Sequence, residues 1–156
     1  MNRGDNKMYR LIRCHAKSRS DIFDTLENSA DQLIEHLVKI AMFQDNGNLK
    51  HWRDELGGFV NRIPKMKGKN QLPSKDFIYR ALTEYEYNRL DATIENVEFL
   101  YKKVKPVTTS KRFIKKYIDE YMNWLSEELS EKGFVYASKC SFIAQEILDK
   151  YNNEVY

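Results

Sequence analysis

Hydrophobic residues recur at intervals of three and four along most of the chain, which is the spacing of one face of an α-helix. Between residues 20 and 44, Leu26, Leu33, Leu37 and Ala41 form such a stripe with polar residues between them. No pair of alternating runs around a tight turn, the signal of a β-hairpin, occurs in the sequence. The pattern predicts helices over residues 20–44, 49–63, 75–104, 110–131 and 138–152.

Polar residues and glycine mark the ends of these helices. A serine hydroxyl can accept a hydrogen bond from a free amide of the first turn, so Ser74 is predicted to cap the helix over 75–104. Thr108, Thr109 or Ser110 caps the next helix. Gly133 is predicted to end that helix in the left-handed conformation, which glycine adopts without strain.

Two stretches are less regular. Gly57 and Gly58 lie inside the pattern over 49–63, and their low helix propensity would allow a kink or a break there. Residues 7–16, within the basic N-terminal segment 1–19, fit either a short helix or a short strand, and we favour the helix. Short connections favour antiparallel neighbours. The expected fold is therefore all-α, an irregular antiparallel bundle of five or six helices in which residues 1–156 form a single domain.

Length and composition narrow the class of protein. A chain of 156 residues with 42% hydrophobic residues suffices for one domain with its own core. No apolar run has the roughly 20 residues of a membrane span, and the N-terminus lacks a signal-peptide core, so a cytoplasmic protein is expected. Cys14 and Cys140 are expected to be reduced thiols that pack as small hydrophobes. The abundance of Lys, Asn, Tyr and Ile suggests a bacterial or phage source.

The net charge of +3 hides an alternation of basic and acidic blocks. The block over 102–116 holds seven basic and no acidic residues, and a second basic block covers 62–80. One interpretation is that these are solvated faces and helix ends. The other is a track for a nucleic-acid backbone, about 45 Å long if the helix over 75–104 is continuous. The candidate nucleic-acid contacts are Lys65, Lys67, Lys69, Lys75, Lys102, Lys103, Lys105, Lys111, Arg112, Lys115 and Lys116.

Most of the ten tyrosines lie in the second half of the chain. Tyrosine offers a large, stiff contact area with a polar tip, and it is enriched at protein interfaces. The alternative is packing at the boundary of the bundle. The candidate protein interface consists of Tyr117, Tyr121, Trp124, Tyr136 and Tyr151.

The sequence offers little catalytic or metal-binding chemistry. His15, His36 and His51 lack the spacing that places two zinc ligands on one helix face, so we predict no metal, no cofactor and no catalytic residue. Arg10 and His15 share the Arg-x4-His spacing of the helical HEPN ribonucleases, a resemblance that implies cleavage of RNA. We keep it as a third hypothesis.

Residues 18–90 carry a second resemblance. Ser29, Leu33-Ile34, His36-Leu37-Val38-Lys39, Trp52-Arg53, Leu56, Ile63 and Leu72-Pro73-Ser74 together resemble the bacterial domain of unknown function family 29. The resemblance implies an all-helical fold, with His36, Lys39, Trp52 and Arg53 as the motif positions, and it implies no activity. In physical terms, we interpret Trp52 as a core anchor and His36 with Arg53 as a hydrogen-bonded pair at the boundary of the core.

The favoured function is a non-enzymatic interaction module that binds a protein partner, or itself, through aromatic-rich helix faces. The alternative is a nucleic-acid-binding protein that uses the blocks 62–80 and 102–116.

Overall fold

The computed structural model describes residues 19–65, 72–87 and 89–155. Within these ranges the regular secondary structure is all α-helical, as predicted, and there is no strand. None of the described helices is both long enough and apolar enough to cross a membrane. The helices are α1 (Arg19–Met42), α2 (Leu49–Asn61), α3 (Lys75–Tyr87), α4 (Leu90–Leu100), α5 (Lys111–Lys132) and α6 (Ala137–Val155).

Helix α1 lies at the centre of the bundle. It contacts α2, α3, α4 and α5, and its second half is buried on nearly every side, with Leu37, Val38 and Ile40 fully inaccessible to solvent. Apolar residues on several sides of a helix must be covered on each of those sides, because each exposed apolar side chain would forfeit about 1.5–3 kcal/mol of burial free energy. Helix α6 completes the bundle by packing on α2 and α5.

The break that Gly57 and Gly58 could cause does not occur, because α2 runs unbroken from Leu49 to Asn61. The reason for Gly57 lies in α6. A Cβ atom at Gly57 would lie 2.6 Å from the Cβ of Ala137, so only glycine allows the two helices to approach this closely. Gly58 is exposed and has open space around it.

The predicted single helix over 75–104 is also wrong, because α3 ends at Tyr87 and α4 begins at Leu90. At 100° per residue, Ile78 and Ile94 would point about 160° apart on one continuous helix. They could not both face α1, yet both are buried in the structure. The interruption changes the direction of the chain, so that α3 and α4 both pack on α1. The two basic blocks are therefore not held about 45 Å apart at the ends of one straight helix.

The predicted caps at Ser74, Ser110 and Gly133 are confirmed. The hydroxyl of Ser74 accepts a hydrogen bond from the Phe77 amide at 3.2 Å, and that of Ser110 accepts one from the Phe113 amide at 3.3 Å. Gly133 has φ 80° and donates its amide to the Leu129 carbonyl. For the four helices that are not interrupted, the ends differ from the prediction by up to three residues, as is common where the last turn frays.

Candidate functional site

Tyr117 and Tyr121 form a seam between α5 and α6 rather than an exposed face. Both side chains are fully buried. The Tyr117 hydroxyl donates to the Ala144 carbonyl at 2.9 Å, and the Tyr121 hydroxyl donates to the Cys140 carbonyl at 3.2 Å. Burial raises the pKa of both phenols well above the ordinary value of 10.0. The prediction that these two rings form an interface is wrong, because α6 covers them and supplies their hydrogen-bond acceptors.

The other three candidate interface aromatics differ in exposure. Tyr151 is buried, and its hydroxyl donates to Glu120 Oε1 at 2.5 Å. Trp124 is half-buried, with its ring centroid 5.4 Å from that of Tyr121. Tyr136 is 70% exposed and packs edge-on against Phe134. Of the five candidates, all within the described ranges, Tyr136 alone is exposed, so they do not form one aromatic face.

Several candidate nucleic-acid contacts are already engaged within the chain. Lys111 pairs with Asp91 at 2.9 Å, and Lys75 lies 4.0 Å from Glu127. Of five further candidates, three make contacts within the chain and two lie outside the described ranges. The ammonium groups of Lys65 and Lys116 lie over the rings of Phe134 and Tyr151, Lys115 is exposed but has a partner, and Lys67 and Lys69 are outside the described residues.

The remaining basic candidates cluster after α4. Lys103, Lys105 and Arg112 are exposed and make no ion pair with any residue that the structure describes. The ammonium of Lys102 lies 4.7 Å from the centroid of the Phe99 ring, within the range of a cation–π contact. The second block therefore offers three exposed positive charges that no described carboxylate neutralises.

The same stretch exposes large hydrophobic side chains. Phe99 is 69% exposed, Leu100 64%, Val107 52% and Val104 39%. In the described part of the chain, only two other large hydrophobic side chains are exposed, those of Tyr136 and Phe142. We call Phe99–Val107 the apolar–basic segment, since Lys102, Lys103 and Lys105 interleave with these four residues.

The apolar–basic segment is anchored to the core at two points. The ring of Tyr101 packs against Trp52 and Phe43, with centroids 5.5 and 5.4 Å apart. The Val107 amide donates to the carbonyl of Met42, the last residue of α1, at 2.6 Å. The sequence does not reveal this segment, because Leu100 and Val104 continue the apolar stripe of the helix predicted over 75–104. The available signal was Phe99, which lies off that stripe.

The four family-motif positions are structural in character. Trp52 is 3% exposed, which agrees with a core anchor. Lys39 is half-buried, and its ammonium lies 6.0 Å from the ring centroid of Tyr101. Arg53 donates to Gln145 on α6 at 2.8 Å. His36 faces Glu55 instead, with Nε2 2.9 Å from Oε1, so the interpretation of His36 and Arg53 as a pair is wrong. The two residues contact different neighbours because α2 lies between α1 and α6.

His36 and His51 share one carboxylate. Both Nε2 atoms approach Glu55 Oε1, at 2.9 Å from His36 and 3.3 Å from His51. The other ring nitrogen of His36 lies 3.2 Å from the Gln32 carbonyl, and its ring packs edge-on against Phe59. Across the described ranges, no group of three or more His, Cys, Asp or Glu side chains is placed to hold a metal ion. The cluster therefore links α1 to α2.

Other candidate chemistry lies in part outside the described residues. Cys140 is buried, and desolvation raises the pKa of its thiol to about 11, so it is un-ionised and unreactive at neutral pH. Cys14, the ambiguous segment 7–16 and the Arg10/His15 pair of the ribonuclease hypothesis all fall outside the described ranges.

Comparison with known proteins finds no similar chain. No protein-family model matches, and neither the curated proteins nor the solved structures contain a match to this sequence or fold.

Proposed function

We propose that the chain is a non-enzymatic interaction module that binds a protein partner, or a second copy of itself, through the apolar–basic segment. The observation that carries this proposal is the clustering of exposure. Phe99, Leu100, Val104 and Val107 are solvent-exposed within nine consecutive residues, whereas the large aromatic side chains of the α5–α6 seam are covered. The proposed interface thus lies at the end of α4 and in the turn after it, and not on α5 and α6.

The physical basis is the free energy gained when such residues leave water. Burying a Phe or Leu side chain is worth about 1.5–3 kcal/mol relative to full exposure, so Phe99 and Leu100 can supply the centre of an interface. Contiguous exposed apolar surface is uncommon on soluble chains unless it is used for binding. The surrounding lysines add long-range attraction to an acidic partner surface, which raises the association rate more than the affinity.

A differential capture experiment tests this proposal. Tagged wild type, Phe99→Ser/Leu100→Ser and Phe142→Ser are incubated with the same lysate, and bound proteins are quantified by mass spectrometry. Phe142 is the matched control, because it is 62% exposed but lies on α6. We expect a protein, or untagged copies of this chain, to be retained by wild type and by Phe142→Ser and to be lost from the double variant. Identical profiles for all three would contradict the proposal.

Nucleic-acid binding is the second candidate, supported by the unpaired Lys103, Lys105 and Arg112. Contacts to phosphates weaken steeply with salt, because each one releases condensed counterions. Three contacts to duplex DNA give a slope of log affinity against log salt of about −2.7.

A mobility-shift titration at two salt concentrations separates the two candidates. A nucleic-acid binder loses affinity in the variant Lys103→Gln/Lys105→Gln/Arg112→Gln and retains it in Phe99→Ser/Leu100→Ser. The absence of any shift at low salt would exclude this second function.

A further inference from the structure

The solvent-facing side of α4 and the turn after it carries charges of opposite sign at its two ends. Glu95 and Glu98 are exposed, Phe99 and Leu100 follow, and Lys103 and Lys105 come next. None of these four charged side chains makes an ion pair with a residue in the described ranges. We call these six residues the charge-split surface.

Phe99 lies at the middle of this surface. The residues of α4 that face the bundle are Leu90, Ile94 and Val97, and the chain continues to half-buried Tyr101. These follow the i, i+4, i+7, i+11 spacing of one helix face, and at 100° per residue Phe99 points to the opposite side. By the same geometry Leu100 lies on the flank of the helix, about 90° from the buried face. Phe99 and Leu100 are therefore both open to solvent, with acidic residues before them and basic residues after them in the chain.

This order of charges is self-complementary. If two copies of α4 cross antiparallel near Phe99 and Leu100, the acidic end of each copy meets the basic end of the other. A parallel crossing would instead place Glu95 and Glu98 of one copy beside the same carboxylates of the other. A two-fold axis through such a crossing makes both halves of the interface equivalent, which is the usual symmetry of a dimer.

We propose that the partner of the apolar–basic segment is a second copy of this chain, docked antiparallel along α4 with the two Phe99–Leu100 pairs in contact. This inference rests on the proposed function and specifies its partner. Burial of the apolar pairs drives association, and the four Glu–Lys encounters set the antiparallel register. An acidic partner of another kind would use Lys103 and Lys105 but leave Glu95 and Glu98 without a role.

The expected dimer is weak. Helix α4 has 11 residues, so it is about 16 Å long, and a single crossing of two such helices lies at the small end of specific interfaces. Association is therefore expected to depend on protein concentration and, because the register is set by exposed charges, to weaken as salt rises.

Sedimentation velocity over about a hundredfold range of protein concentration tests the inference. Wild type and the matched control Phe142→Ser should shift together from monomer to dimer. Phe99→Asp should raise the dissociation constant at least tenfold. Phe142 lies on α6, and the other altered side chains lie on the charge-split surface. All of them are exposed, so circular dichroism should report an unchanged helix content for every variant.

Charge reversal tests the register. Glu95→Lys/Glu98→Lys and Lys103→Glu/Lys105→Glu should each be monomeric alone. An equimolar mixture of the two should form a heterodimer, and the variant that carries all four reversals should recover the wild-type dimer.

Three outcomes would overturn the inference. One is a wild-type chain that stays monomeric throughout the range, and another is a dimer that is insensitive to Phe99→Asp. The third is a four-fold reversed variant that does not dimerise. A monomeric chain that still loses a captured protein in Phe99→Ser/Leu100→Ser would overturn self-association and leave the proposed function standing.

Discussion

The α5–α6 seam and the apolar–basic segment both contain aromatic residues, yet Tyr117 and Tyr121 of the seam and Phe99 of the segment differ in their exposure to solvent. In the seam, the Tyr117 and Tyr121 rings are fully buried and their hydroxyls bond to carbonyls of α6. In the segment, Phe99 is 69% exposed and has a lysine over its ring. Aromatic content therefore does not identify an interface by itself. The deciding factor is whether a neighbouring helix covers the ring.

Truncation of one ring in each region should give the largest contrast. Tyr117→Ala leaves a cavity at a fully buried site, so we expect it to lower the free energy of unfolding by about 3–5 kcal/mol. Phe99→Ala removes an exposed ring and should change it by no more than about 0.5 kcal/mol. Urea denaturation followed by circular dichroism measures both. Comparable losses in the two variants would show that the regions do not differ as described.

The packing of α6 on α2 offers the next contrast, because α6 covers the seam. Gly57→Ala places a methyl group 2.6 Å from the Ala137 Cβ, and the resulting displacement should cost about 1–3 kcal/mol. Gly58→Ala is the matched control, since Gly58 has open space around it and alanine favours a helix by up to about 1 kcal/mol. Thermal denaturation should show a lower Tm for the first variant and an equal or higher Tm for the second.

Removal of a single hydroxyl sharpens the picture of the seam. Tyr121→Phe keeps the ring and deletes the bond to the Cys140 carbonyl, so a loss of about 1 kcal/mol is expected. The matched change at an exposed tyrosine, Tyr136→Phe, should have no measurable effect, because that side chain is 70% exposed. Equal stability of both variants in urea would mean that the seam is held by ring packing alone.

A carboxylate at the edge of the seam gives the smallest expected effect. Burial raises the pKa of Glu128, but hydrogen bonds from Lys139 and Lys132 outweigh it, and the net pKa lies below the ordinary value of 4.5. A lowered folded-state pKa stabilises the protein above the unfolded value, and this contribution disappears as the pH falls through the folded value.

The stability difference between wild type and Glu128→Gln should therefore be about 0.5–1 kcal/mol at neutral pH and should vanish under acid conditions, below the lowered pKa. Urea titrations at a series of pH values measure it. A difference that stays constant from neutral to acid pH would contradict the role of the two lysines.

Much of the local structure could be predicted because it depends on residues close together in the chain. Ser74 and Ser110 bond to amides three positions ahead, and Gly133 adopts a conformation that its lack of a side chain permits. The break between α3 and α4 could not be predicted in this way. It serves the burial of both Ile78 and Ile94 against α1, and only the position of α1 makes a continuous helix unfavourable.

The candidate sites also combine features that the sequence determines with features that depend on the tertiary structure. Hydrophobic periodicity, caps and charge blocks were readable from the sequence, and they determined an all-helical chain with a basic block over residues 102–116. The tertiary structure alone decided that Tyr117 and Tyr121 are covered while Phe99 and Leu100 are not. The physical reason is that burial depends on which helices meet, and a residue's own helical stripe does not specify the helix that will lie against it.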